Sequence, residues 1–219
     1  MNAPSASFWR RNGLSIVLLA LFLAALAGQL LTGHRTANAE RLQEGRPPEA
    51  LSRYVTSGHF VSATFENWES EFLQMGMYVL LTVWLRQQGS AESRPLDPAQ
   101  EEEKIEPGPT PGPVLAGGLR RALYANSLSI ALFALFLVSF CGHLYGGWQD
   151  ELDRLAARGL PPVGLLDHLG EAEFWFESFQ NWQSEFLAVL AIVVLSIFLR
   201  QDKSPESKPL HAPHRQTGG

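Results

Sequence analysis

The sequence predicts an all-α integral membrane protein with four transmembrane helices, built as two tandem two-helix repeats. Three observations carry this. The apolar residues, 46% of the chain, are gathered into runs, although the mean hydropathy of −0.03 would suit a soluble protein. A nine-residue stretch occurs twice, as FENWESEFL at 65–73 and FQNWQSEFL at 179–187, differing only at Glu66/Gln180 and Glu69/Gln183. Each copy runs into an apolar segment that ends in Leu-Arg-Gln, at 85–87 and 199–201.

The resemblance extends well beyond the nine residues. At one constant offset Asn12 falls on Asn126, Gly28 on Gly142, Gly33 on Gly147, Trp68 on Trp182 and Pro95 on Pro209, with Pro47-Pro48 on Pro161-Pro162. A fixed offset sustained without a gap is the signature of an internal repeat. The expected layout is a first repeat over 1–87, a disordered linker over 88–118, a second repeat over 119–201 and a disordered tail over 202–219.

The first membrane helix is expected at about 14–32. Gly13 to Leu31 is apolar apart from Ser15 and Gln29, and as a helix it spans roughly 28 Å, one hydrocarbon core. A basic N-terminus before an apolar run also describes a signal peptide. The same segment recurs in mid-chain at about 127–146, which favours a membrane helix in both places. Between the helices, 36–44 and 148–158 are expected as short helices, the second clearly amphipathic and lying on the membrane surface or on the bundle, each stopped by glycine and a Pro-Pro pair. The apolar runs 72–85 and 186–199 are too short to span alone. Full spans therefore reach back to about 66–86 and 180–200 and draw the nine-residue stretches into the bilayer. An earlier start at Ser57, whose side chain can cap the helix, is also open.

The linker holds Glu101-Glu102-Glu103 and a Pro/Gly run from Pro107 to Pro113, a composition unable to bury a core. Eleven of the 17 lysines and arginines lie on the side of the N-terminus, linker and tail. This predicts cytoplasmic termini. The six tryptophans fall at or just outside the expected interfaces, as an aromatic belt does. The single cysteine, Cys141, excludes a disulfide framework and is expected as a buried packing thiol. A net charge of −5 argues against nucleic acid as a partner. The expected partners are the lipid bilayer and a second copy or other membrane proteins.

The candidate polar or ion site comes from helical spacing. Asn67, Ser70, Glu71 and Gln74 share one face, and Asn181, Ser184 and Glu185 share the corresponding face of the second copy. By the rise per residue, Glu71 stands roughly 22 Å above Arg86, and Gln29 roughly 24 Å above Gly13. His143 is the counterpart of Gln29. A carboxylate at that depth is costly and should face the bundle interior with a partner. Glu71 and Glu185 are therefore expected near Gln29 and His143. Two roles fit such a face: interhelical hydrogen bonding, and proton or cation handling. His34, His59 and His168 lack metal-ligand spacing, so no metal and no cofactor is expected. Phosphate loops, nucleophile elbows and zinc-protease motifs are missing from the sequence, so no enzyme activity is expected. A structural or interaction role in the envelope is the first functional expectation, and a small proton- or cation-linked transporter or channel the second.

The runs SGHFVSATFENWESEFLQMG and VLLTVWLRQQGSAESRPLD, with the opening NGLSIVLLALFLAALAGQLLTG, resemble an uncharacterised bacterial membrane-protein family, a domain of unknown function. That resemblance implies an inner-membrane protein with paired repeats and no assigned activity. The second copy, GEAEFWFESFQNWQSEF, departs from the pattern by losing the Gly-His pair and two acids. Any chemistry in the motif therefore belongs first to the first half.

Overall fold

The computed structural model describes residues 7–97, 99, 101 and 105–218; 98, 100, 102–104 and both chain ends lie outside them. Among the described residues all regular structure is helical: α1 (Phe8–Gln43), α2 (Leu51–Tyr54), α3 (Gly58–Trp84), α4 (Gly112–Ala116), α5 (Gly118–Ala125), α6 (Ser127–Ala157), α7 (Leu165–Leu169) and α8 (Ala172–Phe198). The connections 44–57 and 158–171 share one end of the bundle, the loop end. The described residues of 85–117 and of 199–218 share the other, the terminal end.

The expected surface helices at 36–44 and 148–158 are not separate. α1 runs unbroken for 36 residues and α6 for 31. At 1.5 Å per residue these are about 54 and 46 Å, so each helix outruns a bilayer core and carries its polar last turns beyond it. No proline interrupts either helix, and Gly45 and Gly159, at φ +71° and +68°, break the chain only where the Pro-Pro pairs follow. α3 starts at the earlier of its two expected positions. Ser57 Oγ accepts a hydrogen bond from Phe60 N at 3.2 Å, an N-cap.

Among the described residues three helices, α1, α6 and α8, are long and apolar enough to cross a membrane, where four were expected. The exception is α3. Its length suffices, but Glu66, Asn67, Glu69, Ser70, Glu71 and Gln74 crowd its middle.

The interior is polar and the outside apolar. Buried side chains include Glu69, Ser70, Gln74, Ser139, His143 and Ser178, whereas the buried apolar ones are Ala37, Tyr54 and Phe174. Leucines along the long helices are exposed, Leu14 at 77%. Lipid takes apolar side chains as readily as a protein core does, so this inversion fits a bilayer and not water. Cys141, expected buried, is on the exposed side.

α3 is the central helix, lying antiparallel along α6 and beside α8. Glycines set how close α6 comes. A Cβ on Gly146 would stand 2.4 Å from the Ser62 backbone nitrogen, and one on Gly142 would stand 2.5 Å from the Phe65 ring. This small-xxx-small spacing lets two helix backbones touch. A two-fold pair of hairpins would put α8 on α1 as α3 lies on α6. No comparable packing of α1 on α8 occurs among the described residues. The reason is local: α1 has Thr32 where α6 has Gly146, and Gly28 faces open space.

At the terminal end the tail is folded, where its composition had suggested disorder. Lys208, 1% exposed, donates to the carbonyls of Gly89, His214 and Gln216. Burial pulls its ammonium below the ordinary lysine range. Gly218 N donates to Ser90 O at 2.9 Å, and Gly89 N to Thr217 Oγ1 at 3.0 Å. The start of the linker and the tail thereby satisfy each other's backbone groups without regular structure.

Candidate cation site

At the loop end, the polar halves of α3, α6 and α8 with α7 enclose a cleft of about 390 Å³. Seven carboxylates line it, from Glu40, Glu66, Asp150, Glu151, Glu171, Glu173 and Glu177. His59 and His168 are there too, and Arg154 is its one arginine, already paired with Asp150 at 3.5 Å and Glu151 at 3.1 Å. Such an excess of one charge in a concave, low-dielectric wall concentrates cations.

His143 lies beneath this cleft with its side chain fully buried. Its Nδ1 is 2.9 Å from Glu69 Oε2, and the other oxygen of Glu69 accepts from Trp182 Nε1 at 2.9 Å. Glu69 is 0% exposed, and a carboxylate, an imidazole and an indole from three helices form one hydrogen-bonded chain. The His143 ring packs on Phe174 with centroids 4.7 Å apart. Its Nε2 has no hydrogen-bond partner and faces Glu177 Oε2 at 3.6 Å, beyond good hydrogen-bond length. Ligand atoms of Glu66, His143 and Glu177 lie within 4.8 Å of one another. Asn181 Nδ2 donates to Glu66 Oε1 and, at 3.2 Å, to the Glu177 carbonyl, which fixes Glu66 toward the group.

Of the residues singled out from the sequence, His143 and Asn181 enter this arrangement. Glu71 does not: it is exposed, and the carboxylate on His143 is Glu69. Glu71 and Glu185 instead face each other across α3 and α8. Gln29 donates to Thr64 Oγ1 at 3.3 Å and not to a glutamate. Asn67, Ser70 and Ser184 bond back to their own helices, at Ala63 O, Asn67 O and Asn181 O. Buried Gln74 ties α3 to α8 by donating to Glu185 O at 2.7 Å.

The residues that sequence reasoning passed over are Glu66, Glu69, Glu177 and Trp182. A signal existed: Glu66 and Glu69 are the two positions where the nine-residue stretches differ. His168, set aside for want of spacing, borders the same cleft. Its Nδ1 meets Glu171 at 3.1 Å and its Nε2 is buried without a partner.

Fold and site together define an all-helical protein with apolar helices fit for a membrane and a polar, acid-lined interior at one end. The chain belongs to the family described as a domain of unknown function, DUF6766, whose model matches residues 5–219. No curated protein and no solved structure matches it.

Proposed function

We propose that this is a bacterial inner-membrane protein that captures cations in the acid-lined cleft and handles them, or protons, along α3. The observation that carries this is the cleft itself, with its seven carboxylates, its histidines and a single, already paired arginine. A polar seam leads away from it. Ser70, Gln74 and Tyr78 follow one another at one-turn spacing on α3, and Tyr78 Oη donates to Glu92 at 2.8 Å at the terminal end. In this reading α3 is the fourth span. Its polar face is covered by α6 and α8, so it needs less apolar character than a helix surrounded by lipid. The four spans descend from a duplicated hairpin, and the Lys/Arg distribution puts both termini in the cytoplasm and the cleft outside.

A second reading, a structural or interaction role in the envelope, has its own support. None of the α1 membrane window is buried, which leaves that helix free for a second copy or another membrane protein. Reconstitution separates the two. The cation reading predicts proton or cation flux into proteoliposomes above that of empty vesicles, with at least a tenfold loss in Glu69→Gln. Flux equal to that of empty vesicles would favour the interaction role. Reporter fusions at the linker and tail test orientation, and periplasmic activity at either contradicts the topology.

A further inference from the structure

We propose that Glu66, His143 and Glu177 bind one divalent first-row transition-metal ion of the Zn²⁺ type, an inference that rests on the cation reading of the cleft and narrows it to a chemical class. Three features support it beyond the presence of acids. First, His143 Nε2 is unpartnered on a fully buried side chain. A buried polar atom without a hydrogen-bond partner is costly, which favours an occupant there. Second, two ligands about 2.0–2.1 Å from a tetrahedral ion lie roughly 3.3 Å apart. The 3.6 Å from Nε2 to Glu177 Oε2 is long for a hydrogen bond and close to that edge. Third, Glu69 holds the opposite ring nitrogen, as carboxylates do behind metal-bound histidines. In the neutral tautomer that donates from Nδ1 to Glu69, the Nε2 lone pair would be open to an ion, which would take the place of a proton between Nε2 and Glu177.

One imidazole nitrogen and two carboxylates suit Zn²⁺, Mn²⁺, Fe²⁺ or Co²⁺ better than Ca²⁺ or Mg²⁺, which take oxygen shells. Three protein ligands facing an open cleft leave a position for water. The ligands come from α3, α6 and α8, so the ion would clamp the three helices at one level. Asn181 orients Glu66, and Trp182 orients Glu69. Both belong to the second nine-residue stretch, which therefore supplies support while the first supplies acids.

The test is metal binding to the purified, untagged full-length chain in detergent, independent of transport. Calorimetric titration with Zn²⁺ should give one site per chain. Co²⁺ should give the intense visible bands of a four- or five-coordinate ion with mixed nitrogen and oxygen ligands. Glu177→Gln is the decisive variant because that side chain is 44% exposed and its loss leaves the bundle intact. It and Glu66→Gln should each weaken Zn²⁺ at least tenfold, and Glu69→Gln should weaken it 10- to 100-fold through the ring nitrogen. Glu71→Gln should change it less than twofold. No binding by the folded wild type, or unchanged affinity in Glu66→Gln and Glu177→Gln, would overturn the metal site. Flux without Zn²⁺ binding would leave the broader cation reading standing and remove this one. Zn²⁺ binding without flux would keep the metal site and cation capture in the cleft, and remove the handling of ions or protons along α3.

Discussion

The two nine-residue stretches, 65–73 and 179–187, share almost every residue and do different work. In the first, Glu66 and Glu69 reach a buried site; in the second, Gln180 and Gln183 occupy the same positions and are exposed. Asn67 merely bonds to its own helix, whereas Asn181 crosses to Glu66. Trp68 packs on the Phe22 and Phe65 rings, and Trp182 donates to Glu69. The cause is position in the bundle. α3 is flanked by α6 and α8, so its polar face is enclosed. α8 has α3 on one side and offers the corresponding face to the surroundings. Residues kept in both copies are thus those that suit either setting, and the site sits where the copies diverge.

The same contrast extends to the helices before them, where the largest effect is expected. Gly146→Leu would drive a side chain into the Ser62 backbone and should cost about 3 kcal/mol or more, with loss of folded protein in detergent. Thr32→Leu, at the matching position of exposed α1, should stay within about 0.5 kcal/mol. Thermal unfolding of the pair checks this, and equal losses would mean that α1 is packed as tightly as α6. Next comes Glu69→Ala. It strands the half-buried Trp182 N–H and the buried His143 Nδ1, at about 1–3 kcal/mol for the buried group and less for the other. Gln183→Ala should fall within about 0.5 kcal/mol.

Much of this was legible in the sequence. Helix content, the apolar spans and the Ser57 cap follow from periodicity and from residues that act locally. The site was legible only in part, because its members come from three helices and no spacing along the chain encodes their meeting. Helix depth put His143 at the right level, yet it selected Glu71 over Glu69. Those two residues lie two apart on α3 and so point to different faces. Only the glycines of α6, by fixing which face of α3 is covered, decide between them. The folded tail was illegible for a similar reason: its order comes from Lys208 reaching carbonyls of a distant loop, and composition does not register that.

That tail supplies a smaller test. Lys208→Met should expose the tail to proteolysis and cost about 1–3 kcal/mol in local opening, because three carbonyls, that of Gly89 buried, lose their donor. Its counterpart Arg94 pairs with Glu101 at the surface, where Arg94→Met should cost about 0–1 kcal/mol. Hydrogen exchange of 202–218 in the two variants reads the difference. The smallest effect is expected for Glu71→Gln and Glu185→Gln. Each retains the shape of its side chain and most of its hydrogen bonds, and each should shift stability by about 1 kcal/mol or less.

The most direct measurement compares Zn²⁺ affinity in two double variants of the full-length protein. Glu66→Gln with Glu69→Gln makes the first stretch identical to the second. Glu71→Gln with Glu185→Gln removes instead the acids that both stretches share. The account predicts at least a hundredfold loss of Zn²⁺ affinity in the first variant and less than a twofold change in the second, both remaining folded. Retained affinity in the first, or loss in the second, would contradict the claim that the site resides where the two stretches differ.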